Sequence, residues 1–294
     1  MILLTGATGF VGSHLSQALA EKNYKVRALV RKTANTQKLQ ALGFEIAYGD
    51  VTESASLLAA LKDIDNVIHL VAIIEEKKGA TFEKINWRGT ENVVEAAKEV
   101  GVKKFIHMGA LGTGPFEKYP YSYTKWQGQQ AVEKSGLDYT VLRPSIIFGE
   151  GDGFVTVLAK VIKRAPVVPV IGAGKTRFQP IWVGDIVRCV LEILKNGRFS
   201  KRVIDVGGAR ILSYEEIVDE IMKALSVKRV KLHLPPGLAK LGAKTLKSLG
   251  LPVPVTPEQI DLLELDNVAE PNSVERWFGF KPKALEAEHI RYVR

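Results

Sequence analysis

Residues 3–15, LLTGATGFVGSHL, set Gly6, Gly9 and Gly12 at three-residue intervals, directly after an apolar run and at the start of a helical pattern. This spacing suits a chain that leaves a strand, turns sharply and enters a helix packed close against that strand. Gly6 permits the turn, Gly9 lets backbone approach a ligand, and Gly12 removes the side chain that would hold helix and strand apart. The first N–H groups of such a helix, at the positive end of its dipole, are a phosphate site. The segment therefore predicts a strand–loop–helix unit that holds the pyrophosphate of a dinucleotide, with Thr8, Phe10 and Val11 completing the contact.

The rest of the first half repeats that unit. Short β-rich runs at 2–4, 25–30, 45–48, 66–71, 104–107 and 139–142 alternate with helical patterns at 11–22, 54–62, 81–100 and 121–135. This is the signature of an α/β fold of Rossmann type, a doubly wound parallel sheet covered on both faces. After Arg143 the pattern loosens, then returns near 178–206. The expected domains are a dinucleotide-binding domain at 1–145 and 178–206, and a smaller, mostly helical substrate or partner domain at 146–177 and 207–294.

Function classes narrow further on charge and cysteine content. The single cysteine, Cys189, lies in an apolar run and reads as a core residue of a protein in a reducing compartment. No leader and no apolar run long enough for a membrane span is present, which implies a cytoplasmic protein, at most peripheral to the inner face of a membrane. The net charge is +9, and between Glu220 and Glu258 seven basic residues occur with no acidic one. Such a stretch attracts anions. No nucleic-acid module and no aromatic interleaving accompany it, so nucleic acid is not an expected partner. No metal-ligand spacing is seen, and nothing speaks to oligomeric state.

Two further stretches bear on the cofactor. The second strand ends VRALVRK, with Arg31 and Lys32 where an acid would bond a free ribose 2′-hydroxyl. A guanidinium there suits a 2′-phosphate, so NADP(H) is expected rather than NAD(H). In GDVTE, Asp50 is placed either to accept from the adenine amino group, with Val51 beside it, or to cap the following helix. Tyr121 and Lys125 are i and i+4 on one helix face, whereas Tyr123 points elsewhere.

Together TGATGFVG, GDVTE, HLVA, INWRGTENVVEAA, Tyr121-x-x-x-Lys125, RPSIIFG and FQPIWVGDIV resemble the short-chain dehydrogenase/reductase superfamily over nearly the whole chain. The resemblance is to its extended and atypical branches, nearest the group related to the Rossmann-fold accessory subunit of respiratory complex I. It implies a nicotinamide cofactor across the carboxyl edge of the sheet. Val71, Ala72 and Met108 would lie beside it, Pro144 and Ile147 near the nicotinamide, and Lys125 on the ribose. It further implies that Tyr121 exchanges a proton at the substrate oxygen as hydride moves. Active relatives carry Ser or Thr after the fifth strand, to polarise the substrate; here Gly109 and Ala110 stand there, and the first hydroxyl is Thr113.

Three readings follow. The first is an NADP(H)-dependent reductase of a small or hydrophobic carbonyl or quinone-like compound. The second is a low-turnover nucleotide-binding sensor or accessory subunit of a respiratory complex. The third is a nucleotide-sugar epimerase or dehydratase. Residues 235–250, PPGLAKLGAKTLKSLG, add a partner question. Leu238, Leu241, Leu246 and Leu249 fall on one side of a helix, with Lys240, Lys244 and Lys247 opposite. Either the leucines pack on their own domain and the lysines are solvated, or the leucines meet a hydrophobic substrate, an anionic membrane or a respiratory complex.

Overall fold

The computed structural model describes residues 1–248 and 255–294. In chain order the first unit contains β1 (Ile2–Thr5), α1 (Phe10–Glu21), β2 (Val26–Val30), α2 (Gln37–Ala41), β3 (Glu45–Tyr48), α3 (Ser54–Leu61), β4 (Asn66–His69), α4 (Gly89–Glu99), β5 (Lys104–Met108), α5 (Pro120–Glu133) and β6 (Tyr139–Pro144). These six strands pair in parallel in the order β3-β2-β1-β4-β5-β6. Chain order reverses beside β1, the switch point at whose carboxyl edge such sheets bind ligands. The strands are near-continuous apolar runs because both sheet faces are covered; Leu3, Val67, Phe105 and Val141 pack with Leu57, Leu61, Val93 and Ala97 of the helices. Before α4 the backbone makes a π-helical turn, Glu83–Arg88, a break in periodicity inside the single helix expected at 81–100.

The remaining elements are β7 (Ile147–Phe148), α6 (Val155–Arg164), β8 (Val167–Ile171), β9 (Arg177–Phe178), β10 (Ile181–Trp182), α7 (Val183–Lys195), β11 (Arg202–Val206), β12 (Leu212–Ser213), α8 (Tyr214–Leu225), β13 (Val230–Leu234), α9 (Pro236–Ser248), α10 (Pro257–Leu262) and α11 (Ser273–Phe278). β11 joins the main sheet as its seventh strand, beside β6. The chain divides into two compact units, Met1–Arg143 with Ile186–Ile204, and Pro144–Asp185 with Asp205–Arg294. Segment 178–185, expected with the first domain, belongs to the second because β9 pairs with β12 and β10 with β7. The second unit is thus helices braced by three two-stranded ladders. Its core gathers Phe148, Leu158, Ile162, Val170, Ile217 and Ile221.

Local signals in this unit are readable. α8 opens on a reciprocal capping box between Ser213 and Glu216, and α10 on one between Thr256 and Gln259. Cys189 is fully buried. α9 departs from the first reading of its sequence: Leu238 and Leu241 are exposed, while Ala243 is buried and Lys240 is paired with Asp261 and Glu264. Leu249, Gly250 and the side chain of Lys247 lie outside the described residues.

One of the buried carboxylates that hold the C-terminal tail also caps a helix. Asp152 accepts from the N–H groups of Phe154 (2.9 Å) and Thr156 (3.0 Å), capping α6, and from Gly149 N–H (3.2 Å) and the Tyr292 hydroxyl (2.5 Å). Burial, and then that bond to Asp152, push the Tyr292 phenol well above its ordinary value. Replacing Asp152 by Ala leaves these donors unanswered together and should cost about 3 kcal/mol, whereas Tyr292→Phe should cost about 1 kcal/mol. Urea unfolding of both variants checks the ranking; equal losses would remove the cap from the account.

Candidate nucleotide site

The glycine loop is built as its spacing requires. Gly6 has φ +77°, and a side chain there would crowd Leu70 and Val71 at the end of β4. At Gly12 a Cβ would sit 2.0 Å from the Gly6 carbonyl oxygen, so α1 approaches β1 as closely as backbone allows. Gly9 donates to Gly6 O at 3.0 Å and is the residue before the helix, with no side-chain cap and no acid in the first turn. The first-turn N–H groups, uncapped and next to exposed Thr8 and Gly9, fit a pyrophosphate. Phe10 and Val11 are half-buried in that turn.

The other expected cofactor contacts are distributed as follows. Arg31 and Lys32 are exposed immediately past β2, with no acid paired to either among the described residues. Asp50 does not cap α3, whose first cap is Glu53. Its Oδ1 instead accepts from the Thr52 N–H and hydroxyl, both at 2.9 Å, closing a turn past β3. Val51 is buried, and its carbonyl accepts from Asn92. Val71 and Ala72 follow β4, where the next residue, Ile73, is gripped at both backbone groups by the Asn86 amide, at 2.8 and 3.0 Å. The Asn86 side chain is thus committed to shaping this loop. Pro144 ends β6 and Ile147 opens β7, both in the second unit.

Tyr121 and Lys125 lie one turn apart on α5, which starts with Pro120 at a position where its missing N–H costs nothing. Lys125 is 3% exposed, and its ammonium donates to the carbonyl of Met108, the last residue of β5, at 2.6 Å. Burial lowers it to about 8. The Tyr121 ring stands edge-on to Phe82, and burial pushes its phenol up to about 12, so it keeps its proton at neutral pH. Tyr123 is elsewhere, accepting from Gln127 and packed with Trp87 and Trp126.

Beneath Lys125 the strands carry two buried histidines, His69 and His107, stacked 5.4 Å apart. Burial first, then the charge of Lys125, hold both well below the ordinary imidazole value, His69 at about 3. The Thr90 hydroxyl donates to Asn86 O, so it can only accept from His69 Nε2–H, and Thr5 must then donate to Nδ1. His69 is thereby locked as one neutral tautomer, in a network that ends at Asn86. Nothing in the sequence spacing of the histidines points to the threonines that hold His69.

The loop after β5 also has a definite form. A Cβ on Gly109 would lie 3.1 Å from Arg143 Cγ and 3.2 Å from Val141 Cγ1, so a serine there would be crowded by β6. The Thr113 hydroxyl turns back to donate to Ala110 O at 2.9 Å, and Ser122 reaches Gly112 O from α5.

Residues 2–207 match the model of the NAD dependent epimerase/dehydratase family. The chain belongs to this family. It is 30% identical over 246 residues to a ceramide reductase of Caulobacter vibrioides, covering 83% of this chain and 76% of that one. It is also 30% identical over 265 residues to the N-acetyl-alpha-D-glucosaminyl-diphospho-ditrans,octacis-undecaprenol 4-epimerase of Escherichia coli O157:H7, covering 82% and 77%. Against subunit 9 of the NADH dehydrogenase [ubiquinone] 1 alpha subcomplex of Arabidopsis thaliana the identity is 25%, over 89% and 67% of the two chains. The structure of a dTDP-glucose 4,6-dehydratase from Streptomyces venezuelae, with NAD bound, superposes with a TM-score of 0.75 at 19% identity, covering 100% and 96%. A nicotinamide dinucleotide is the cofactor class that the family and the glycine loop support. No helix among the described residues is long and apolar enough to cross a membrane.

The buried ammonium yields a pH signature. An unfolded lysine titrates near about 10.4, whereas folded Lys125 is lowered to about 8. The stability this group contributes is therefore present above the unfolded value and is lost as pH falls toward the folded one. Relative to the parent, Lys125→Met should gain stability as pH falls through that window, and the difference should level off below it. Urea unfolding across the window measures this; a difference that does not change with pH would mean that the ammonium is not desolvated.

Proposed function

We propose that the protein is an NADP(H)-dependent reductase of a hydrophobic carbonyl or quinone-like compound, acting in the cytoplasm or at the inner face of a membrane. The observation that carries this reading is the protonated Tyr121 phenol one helical turn from the buried Lys125. Burial keeps that phenol protonated at neutral pH, and the Lys125 ammonium one turn away would favour the phenolate left when the proton passes to a substrate oxygen. Bound cofactor would supply the hydride. The chain's own residues would do the rest: the first turn of α1 holds the pyrophosphate, Lys125 holds the ribose hydroxyls, and Tyr121 protonates the substrate oxygen. The fixed charge of Lys125 also stabilises any negative charge that develops there. Two relatives whose names carry a lipid, ceramide and undecaprenol, favour a hydrophobic substrate.

A specific observation favours a second reading, a low-turnover nucleotide-binding subunit of a respiratory complex. A Cβ at Gly109 would press on Arg143 and Val141, Ala110 carries no hydroxyl, and the Thr113 hydroxyl is donated to Ala110 O. Loss of one such donor costs about a hundredfold or more in rate. The nucleotide-sugar epimerase reading draws on the family, and it needs the same tyrosine.

Choice of cofactor rests on Arg31 and Lys32. Arg31→Asp should weaken NADPH binding about tenfold or more and favour NADH relatively, as read by fluorescence titration of both nucleotides. Equal affinities for the two in the unaltered protein would sink the NADP(H) assignment.

The Tyr–Lys pair should separate binding from chemistry. With a panel of hydrophobic aldehydes, ketones and quinones, Tyr121→Phe should lower kcat by about a hundredfold or more while leaving NADPH affinity near that of the parent; Lys125→Ala should weaken the nucleotide itself. Full turnover by Tyr121→Phe would end the assignment. Tight nucleotide with no turnover in the parent would support the subunit reading instead.

A further inference from the structure

β13 and α9 are consecutive, joined by Pro235, and each pairs a lysine with acids of a neighbouring helix while turning hydrocarbon outward. In β13, alternate residues face opposite sides. Lys231 faces α8, at 2.7 Å from Glu215 and 2.9 Å from Asp219, and His233 lies 3.5 Å from Glu215. Val230 and Leu232 form the other row and are 69% and 52% exposed. Across the ladder from Val230 stands Val167, also exposed. α9 repeats the inversion: its inward face is buried Ala243 and Lys240, the latter paired with Asp261 and Glu264 of α10. Leu238 and Leu241, each 61% exposed, lead the outward face, with Leu246.

A single exposed leucine needs no explanation, but two successive elements that pair a lysine on the protein side and expose their aliphatic rows do. The surroundings indicate the chemistry of what covers them. Between Glu220 and Glu258 the sequence has no acid. Of the cations there, Lys228 and Lys244 are exposed and form no ion pair among the described residues, and the same holds for Lys163 and Arg164 just ahead of β8. The patch contains no tryptophan or tyrosine, the residues on which protein–protein hot spots are usually built. Aliphatic side chains with unpaired lysines at their margin match the boundary between acyl chains and anionic headgroups.

We infer that the segment from Val230 to Leu246, with Val167, is a docking surface for an anionic lipid bilayer. Leu238, Leu241, Val230 and Leu232 enter the headgroup–acyl boundary, and Lys228 and Lys244 face the headgroup charges. The surface requires no turnover at Tyr121, so it stands apart from the reductase reading and can be tested without substrate.

The test is co-sedimentation of the full chain with vesicles of phosphatidylglycerol and phosphatidylcholine, beside vesicles of phosphatidylcholine alone. The parent should sediment with the anionic vesicles, and added salt should release it. Leu238→Ser with Leu241→Ser should reduce partitioning about a hundredfold, and Lys228→Glu with Lys244→Glu at least about tenfold, with the salt sensitivity lost. Leu238→Ala with Leu241→Ala keeps helix propensity and should give the same direction, which separates lost docking from lost folding; an unchanged thermal melt of each variant is the control. Failure of the parent to sediment with anionic vesicles overturns the inference, and so does undiminished binding by the leucine variants. Salt-insensitive binding overturns it too, as does a parent that is dimeric in gel filtration and that the leucine variants render monomeric without any vesicle binding.

Discussion

The first unit is organised around the contact between Gly12 and the Gly6 carbonyl. With no side chain at either position, α1 lies against β1 closely enough that even one methyl group would meet backbone at 2.0 Å. That contact sets the angle of α1, and with it the direction of the uncapped N–H groups that face the loop. It also brings Gly6 against Leu70 and Val71, which ties the loop to the end of β4 at the switch point of the sheet. A larger residue would do more than lower affinity; it would misplace the element on which a dinucleotide rests.

The catalytic candidates depend on a second constraint, a charge kept where water is scarce. Lys125 is almost wholly buried, its ammonium satisfied by the Met108 carbonyl, and the histidines beneath it are held neutral by burial and by that same charge. A buried cation over neutral imidazoles is costly in the free protein. A low-dielectric setting strengthens whatever anionic or hydroxyl contact that cation makes. The Asn86 amide holds Ile73 in place after β4.

The two units use polarity in opposite ways. In the first, the Lys125 charge points inward from a helix to the end of a strand. In the second, Lys231 and Lys240 are drawn inward by Glu215, Asp219 and Asp261, leaving valines and leucines to face outward. Paired charges are tolerable in a partly buried position, whereas an exposed aliphatic row gains nothing until something covers it.

Much of the first unit was legible in the sequence, because its signals are local. Glycine spacing, strand runs buried on both faces and the i, i+4 relation of Tyr121 and Lys125 depend on covalent geometry and helical period alone. By the same logic the sequence determined which tyrosine shares a helix face with the lysine. Other features required the tertiary structure. Which of two faces α9 would bury was undecided by periodicity, since leucines are the usual inward residues; the carboxylates of Asp261 and Glu264, more than twenty residues along the chain from Lys240, decided it. Asp50 could take an adenine amino group or cap a helix; the structure instead shows its carboxylate closing a turn on Thr52, which neither reading foresaw. The crowding that a side chain at Gly109 would meet comes from Val141 and Arg143 on a neighbouring strand. Local pattern specifies elements and their amphipathic options, and only packing between distant segments selects among those options, because the energies that choose are made by partners that the chain brings together on folding.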